Sequence, residues 1–297
     1  MADTIAYLGP EGTYTQLAAL SYSLQLEQRL SHPIQLKSFP SIPRAMQATA
    51  QGETSVTIVP VENSTEGGVS TTLDTLWRLK TLKIQQALVM PIRHGLLSTA
   101  KDLEELTVVY SHPQALSQCQ LWLENNLPQA SLMPTPSTTE ALQHLSDNSR
   151  VAAISSEWAA QLYNLPILVH NINDNTENCT KFWVLGSELN HGGGHTSIAF
   201  SLPTNAPGSL VKPLQIFAHE QINLSRIESR PTKRSLGDYL FFIDLETNDN
   251  PHQIAQALQK LDQYTETLVN FGSYELTSVS KDLNSVIAKH HQLGQNA

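Results

Sequence analysis

The chain has 297 residues, 40% of them apolar and 15% charged, with a formal net charge of -9, which is ordinary globular composition with length enough for two domains. The acidic balance, with no Lys/Arg-dense segment, argues against nucleic acid as a partner, because a polyanion demands a basic face; a small anionic metabolite stays open, since it answers to a few local N–H groups and cations. No apolar run approaches membrane-spanning length, Met1-Ala2-Asp3-Thr4 lacks the basic n-region of a secretory signal, and Cys119 and Cys179 fit neither a redox pair nor a zinc framework, which together predict a cytoplasmic protein with reduced thiols and no membrane association.

In chain order, short β-rich runs alternate with helical patterns from Thr4 to about Gly186, the signature of an α/β domain with largely parallel strands. The predicted strands are Thr4 to Leu8, Gln35 to Phe39, Ser55 to Val61, Lys83 to Ile92, Thr107 to Tyr110, Val151 to Ile154, Ile167 to Ile172 and Phe182 to Leu185. The predicted helices are Thr15 to Leu26, Pro43 to Ala50, Thr71 to Leu79, Pro113 to Asn125, Thr138 to Leu145 and Glu157 to Leu162. A glycine-rich break, GSELNHGGGHT, then reads as a linker over 187–195, and its His191 and His195, with no carboxylate or cysteine partner at suitable spacing, are assigned no metal. Beyond it the pattern is a compact βαββαβ unit over 196–280. Its strands are Thr196 to Leu202, Ile222 to Ile227, Tyr239 to Leu245 and Thr267 to Leu276, and its helices Pro207 to Gln221 and Pro251 to Thr265. The tail, 281–297, is weakly patterned.

Chemistry gathers where hydrophobic runs empty into small polar loops. Gly9-Pro10-Glu11-Gly12-Thr13-Tyr14 joins a strand to a helix, so it is either an anion seat at a helix N-terminus or a tight turn with a threonine cap. Glu62, Asn63, Ser64 and Thr65 precede Gly67-Gly68 and a helix, and this run of polar side chains exceeds what one cap requires. In Tyr110-Ser111-His112-Pro113, Ser111 can act as a helix N-cap, and Gln118 falls two turns on at a similar azimuth. Finally, Asn178-Cys179-Thr180-Lys181-Phe182 opens an apolar strand. A threonine hydroxyl fixed in a dry cleft can donate to a departing oxygen. These loops contain no metal cluster, no Ser-His-Asp order and no dinucleotide glycine fingerprint.

Taken together, YLGPEGTYTQLAAL, VPVENSTEGGV, YSHPQALSQC, NCTKFWVLG and GSLVKPLQIFAHEQINLSRIESRP resemble the prephenate dehydratase family, from about Ile5 to about Leu276. The resemblance implies a two-lobed catalytic domain, like type II periplasmic binding proteins, over 1–186, followed by a ferredoxin-like ACT regulatory domain. It also implies loss of water and carbon dioxide from prephenate to give phenylpyruvate, without metal or organic cofactor. By position, the family's essential threonine falls on Thr180, its Glu-Asn pair on Glu62 and Asn63, and its Ser and Gln on Ser111 and Gln118. Gly12, Thr13, Ser64, Thr65, Lys181 and Phe182 are then expected to line the substrate pocket. Lys181 stands where the family usually has arginine, and lysine cannot make a bidentate fork with a carboxylate.

In the second domain, Gly208, Ser209, Leu210 and Val211 stand for a Gly-Ala-Leu-Val stretch, and Glu228, Ser229, Arg230 and Pro231 match a Glu-Ser-Arg-Pro motif. The resemblance implies that both bind phenylalanine between paired ACT domains in a homodimer or homotetramer. Two rival functions share these residues: arogenate dehydratase, with the same chemistry on the transaminated substrate, and a non-catalytic amino-acid sensor.

Overall fold

A computed structural model of the protein describes residues 3–145, 149–247 and 250–279; the predicted tail, 281–297, and the last predicted ACT position, 280, lie outside them. The first lobe opens with β1 (Thr4–Leu8), α1 (Tyr14–Leu30), β2 (Gln35–Phe39), α2 (Ile42–Ala50), β3 (Val56–Asn63), a short β4 (Gly67–Gly68), α3 (Ser70–Leu79) and β5 (Lys83–Pro91). Capping fixes the helix starts. Thr13 and Ser41 accept from the N–H groups of Gln16 and Arg44 in the first turns of α1 and α2, which satisfies donors that have no intrahelical acceptor.

The second lobe follows as β6 (His94–Leu97), β7 (Val108–Ser111), α4 (Pro113–Gln118), α5 (Gln120–Asn126), β8 (Ser131–Pro134), β9 (Val151–Ser156), α6 (Glu157–Leu162) and β10 (Ile167–Val169). The chain then returns to the first lobe as β11 (Cys179–Gly186). The sheet of the second lobe runs β10-β6-β9-β7-β8. The lobes are joined by the crossings from β5 to β6 and from β10 to β11, which bond each other through Ile92 N–H to Asn178 O (2.8 Å) and Ile172 N–H to His94 O (2.9 Å).

Several expectations are corrected. The sheets are mixed: β1 is parallel to β2 and β3, but β11 lies antiparallel between β3 and β5. The reason is topological, since β3 and β5 both run toward the cleft and β11 re-enters from it. The single helix expected over Pro113 to Asn125 is interrupted at Cys119, whose ψ is 15°, and a 3-10 helix, Glu140–His144, stands where an α-helix was expected. β8 escaped the reading because its residues are exposed along the whole strand, so no hydrophobic alternation marks it.

The C-terminal unit is β12 (His195–Ser201), α7 (Val211–His219), β13 (Asn223–Pro231), β14 (Tyr239–Glu246), α8 (Pro251–Asp262) and β15 (Thr267–Ser278), the expected βαββαβ order. Helix α7 starts later than expected because Gly208, at φ 84°, holds a turn ahead of it. Phe200, Phe217, Ile243, Leu245, Ile254 and Leu261 form the core under the two helices. β15 does double duty: Thr267 to Tyr274 pair with β12, and Glu275 to Ser278 run parallel to Gln86 to Val89 of β5. One ten-stranded sheet thus spans both domains, and a second core shared between them packs Trp183, Val59 and Ile84 against Phe242, Phe271 and Tyr274.

The glycine-rich segment is fitted to this sheet. His191 bridges Ser273, Thr247 Oγ1 donates to Gly193 O at 2.8 Å, and a Cβ on Gly193 (φ 122°) would stand 2.2 Å from the Tyr274 carbonyl carbon. His195 belongs to β12 and stacks on Tyr274 with ring centroids 6.0 Å apart.

Candidate active site

Between the lobes lies a cavity of about 290 Å³ whose lining includes Tyr14, Thr15, Asn63, His94, Gln118 and Thr180, with Leu8, Ile42, Val69, Ile92 and Phe182 as apolar wall. That is at the small end of the ~300–1,000 Å³ typical of metabolite pockets. Among the described residues, its lining includes no Asp, Glu, Lys or Arg. A larger groove of about 520 Å³, lined by Asp74, Trp77 and Lys233 among others, lies at the seam between α3 and the end of β13 and holds none of these polar groups.

The polar groups of the cleft form one chain of hydrogen bonds with a readable direction. Asn63 Oδ1 accepts from the backbone N–H groups of Thr65 and Glu66, each at 3.0 Å, so its amide NH2 must face the other way. There Nδ2 donates to Thr180 Oγ1 at 3.0 Å, to Asn178 Oδ1 at 2.9 Å and to Cys179 O at 3.2 Å. The Thr180 oxygen therefore accepts a hydrogen bond from Asn63, which leaves its own O–H to donate into the cleft. Asn178 Nδ2 donates to Gln118 Oε1 at 3.0 Å, and His94 Nε2 lies 3.1 Å from that same oxygen. A shared acceptor requires the imidazole to carry its proton on Nε2. Burial pushes the His94 pKa down to about 4, against the raising effect of the Gln118 hydrogen bond, so the ring is neutral at physiological pH. Gln118 Nε2 is buried without a hydrogen-bond partner. An orphaned donor of this kind at a cleft wall calls for an acceptor on a ligand.

Helix α1 presents its first turn to the cavity through Tyr14 and Thr15, whose N–H groups have no intrahelical acceptor. Tyr14 OH bonds Arg93 O and lies 3.5 Å from His94 Nδ1.

Of the residues singled out from the sequence, Asn63, Gln118, Thr180 and Phe182 meet in the cleft. Ser111 is fully buried, its hydroxyl donating to Ile154 O at 2.7 Å. Ser64 Oγ accepts from Cys179 N–H at 3.0 Å and lies 3.3 Å from Asn178 Oδ1, while Thr65 meets Asn63 through its backbone. Gly12 and Thr13 do not line the cavity: Gly12, at φ 86°, joins the lobes, with Ser156 Oγ donating to Gly12 O at 3.0 Å and Ala159, Thr139 and Tyr163 packed against it, while Thr13 caps α1 and donates to Pro10 O at 3.0 Å. Glu62 and Lys181 point away from the cleft and pair with each other at 2.9 Å.

In the C-terminal domain, Gly208, Ser209 and Leu210 form the turn before α7, with Ser209 Oγ accepting from Ala206 N–H, and Val211 opens the helix half exposed. Glu228 and Arg230 face the first lobe. Arg230 bonds Asp74 of α3 at 3.1 Å, and Glu228 bonds Arg226 at 2.7 Å. Between them Ser229 is exposed on the other face of β13, and Pro231 lines the seam groove. His94 and Asn178 escaped the sequence reading. Asn178 sits two residues before Thr180 within a motif already singled out; His94 is held by bonds to partners 24 and 79 positions away, and no local pattern encodes that.

The family model described as prephenate dehydratase matches residues 5–190, and that of the ACT domain residues 196–263. A prephenate dehydratase of Lactococcus lactis is 35% identical over 285 residues, covering 93% of this chain and 99% of that protein. A bifunctional chorismate mutase/prephenate dehydratase of Aquifex aeolicus is 37% identical, covering 91% and 73%. The crystal structure of prephenate dehydratase from Arthrobacter aurescens in complex with L-Phe superposes with a TM-score of 0.80 at 31% identity, covering 99% of this chain and 98% of that one. With profile, relatives and fold in agreement over nearly its whole length, the chain belongs to the prephenate dehydratase family and carries a C-terminal ACT domain.

Proposed function

We propose that this protein converts prephenate to phenylpyruvate and is restrained by phenylalanine bound to its ACT domain. The observation that carries the reading is the Asn63 to Thr180 hydrogen bond, which frees the threonine O–H to donate inside an uncharged cleft. In the reaction the bond from the ring to its carboxylate breaks and carbon dioxide departs. The electron pair enters the ring, the carbon–oxygen bond opposite breaks, and the hydroxyl takes up one proton from solvent to leave as water. Thr180 donates to that oxygen as its negative charge grows, an interaction stronger in the transition state than in the ground state. Apolar walls disfavour a localised carboxylate relative to a transition state whose charge is spread over the ring. Gln118 Nε2 and the first-turn N–H groups of α1 are assigned to the pyruvyl carboxylate, which the product retains, with His94 and Asn178 holding the Gln118 amide in place.

We take residues 1–186 as the catalytic domain, 187–195 as its connection and 196–280 as the ACT domain. Phenylalanine is assigned to the Gly208 to Val211 turn and the exposed Ser229 side of β13, between ACT domains of a cytoplasmic homodimer or homotetramer. The test is turnover of prephenate and, separately, of arogenate by the full-length protein, each with and without phenylalanine. Prephenate turnover suppressed by phenylalanine supports the proposal. Preference for arogenate redirects it to arogenate dehydratase, and turnover of neither substrate leaves the amino-acid sensor.

A further inference from the structure

β3 and β11 are in register at two consecutive positions, Asn63 opposite Thr180 and Glu62 opposite Lys181. Side chains alternate across a strand, so the first pair faces the cleft and the second faces the C-terminal domain. There Lys181 Nζ lies 2.9 Å from Glu62 and 3.3 Å from Asp244 of β14. Arg226 of β13 meets Glu228 at 2.7 Å, Asp244 at 3.6 Å and Glu62 at 4.0 Å, and its guanidinium sits over the Trp183 ring of β11, 5.9 Å from the centroid.

Arg226 and Asp244 are both buried, at 8% and 2% exposure. Asp244 is anchored within its own sheet by Ser197 Oγ at 2.6 Å, which in turn lies 2.7 Å from Tyr274 OH. A second contact points the same way. A Cβ on Gly68, which pairs with Glu62 across β4 and β3, would stand 2.0 Å from Glu228 Oε2. Glycine there admits the carboxylate of the second domain against the loop that follows Asn63.

We infer that Arg226 and Asp244, though they contribute no atom to the cleft, are positioning residues for Thr180: the C-terminal domain grips β11 through Lys181 and Trp183, and β3 through Glu62. This rests on Thr180 being the donor to the leaving hydroxyl and on the ACT domain binding phenylalanine. Arg226 and Asp244, the buried members of the cluster, are either paired or stranded, because a buried charge drawn out of contact is left desolvated and unpaired. Movement of β13 or β14 relative to the first lobe must therefore break the cluster or carry β11 along. A carried β11 changes the Asn63 to Thr180 geometry on the opposite face, and a broken cluster takes from Lys181 its Asp244 partner, so an effector on the second domain has a differential interaction with two states of the first.

A merely stabilising role is separable, because a buried ion cluster replaced by apolar side chains of similar volume often leaves a protein equally or more stable. The test is the full-length double variant Arg226→Met/Asp244→Leu, read by thermal unfolding, by kcat and KM for prephenate, and by phenylalanine inhibition. Expected are a folded protein, kcat lower by about tenfold or more with KM nearly unchanged, and phenylalanine inhibition weakened by about tenfold or more. Hydrogen exchange of the backbone over 179–186 gives a readout that needs no turnover: phenylalanine alters it in the wild type and not in the variant. A stable double variant with wild-type kcat and a wild-type phenylalanine response in both assays overturns the inference. Should the double variant not fold, Arg226→Lys decides. It keeps the charge and loses the planar fork, so it is expected to lower kcat at constant KM, and wild-type kcat and inhibition in it overturn the inference equally. If the wild type turns over neither substrate, the proposed reaction fails and the exchange assay alone judges the coupling.

Discussion

The direction of the hydrogen bond between Asn63 and Thr180 is set by two backbone N–H groups that touch neither the cleft nor the threonine. Thr65 and Glu66 hold Asn63 Oδ1 in place, and the amide NH2 is thereby aimed at Thr180 Oγ1. Asn63→Asp keeps the acceptor and exchanges the donor for a second acceptor, which would accept the Thr180 O–H hydrogen bond and turn it away from the cleft. The expected result is a fall in kcat of ~10²-fold, near that of Thr180→Ala, consistent with the ~10²–10³ measured for loss of one preorganised donor elsewhere. Thr180→Ser should retain most of the rate. Steady-state kinetics on the three variants checks the set.

Gln118 offers the complementary case, because its Nε2 has no hydrogen-bond partner among the described residues. In Gln118→Glu a carboxylate oxygen replaces that donor and repels an anionic substrate. A hydrogen bond to a charged group is worth ~1.5–3 kcal/mol, so KM is expected to rise by about 10- to 100-fold. An unchanged KM would remove Gln118 from the binding surface.

His94 gives the stability a defined acid limb. Burial lowers its pKa from 6.5 to about 4, so the unfolded chain takes up a proton before the native state does. The contribution of this group is complete above pH 6.5, is lost as pH falls toward 4, and is flat below that. Linkage puts the loss at about 2 kcal/mol at pH 5 relative to pH 8. Denaturant unfolding of the wild type and His94→Gln at both pH values should show the difference shrink by about that amount in the variant.

The three consecutive glycines are not equivalent. A Cβ on Gly194 meets nothing within 4 Å and one on Gly192 only the Asn190 side chain at 4.0 Å, whereas one on Gly193 collides with the Tyr274 backbone at 2.2 Å. Gly192→Ala and Gly194→Ala are expected within about 0.5 kcal/mol of wild type. Gly193→Ala adds positive-φ strain to a backbone clash and should cost about 2 kcal/mol or more. Thermal unfolding of the three single variants distinguishes them.

The thiols should differ in the same all-or-none fashion. Cys119 is fully buried and its pKa is pushed up to about 12 by burial and by the neighbouring Asp174, whereas Cys179 is partly exposed. A thiol reagent is expected to label Cys179 alone in the native protein and both cysteines in denaturant, as read by mass spectrometry.

Asn63, Gln118, Thr180 and Phe182 were legible because each lies in a motif at the end of a hydrophobic run, and the fold brings those ends to one cleft. The placement of Glu62 and Lys181 was hidden by where the strands were thought to stop. The apolar run of the first strand stops at Val61 and that of the other starts at Phe182, while the strands extend through Asn63 and from Cys179. Once they are seen as strand positions, period-two alternation sends the neighbours of Asn63 and Thr180 to the opposite face. Arg226, Asp244 and His94 were beyond reach for a different reason. Their partners are brought to them by sheet order and lobe docking, which composition and periodicity do not encode. The Glu-Ser-Arg-Pro motif was legible as a motif, yet Glu228 and Arg230 meet the first lobe because a strand must divide its side chains between two faces.

The shared strand β15 has a consequence for anyone who would cut this protein at its glycine-rich segment. Glu275 to Ser278 seal the outer edge of β5 at Gln86 to Val89, so a fragment ending before β12 would bare a row of unpaired N–H and C=O groups beside the largely apolar Ala87, Leu88 and Val89. Such an open edge recruits strands from other molecules. The severed catalytic half is therefore expected to self-associate, and its loss of activity would measure aggregation before it measured the absence of regulation.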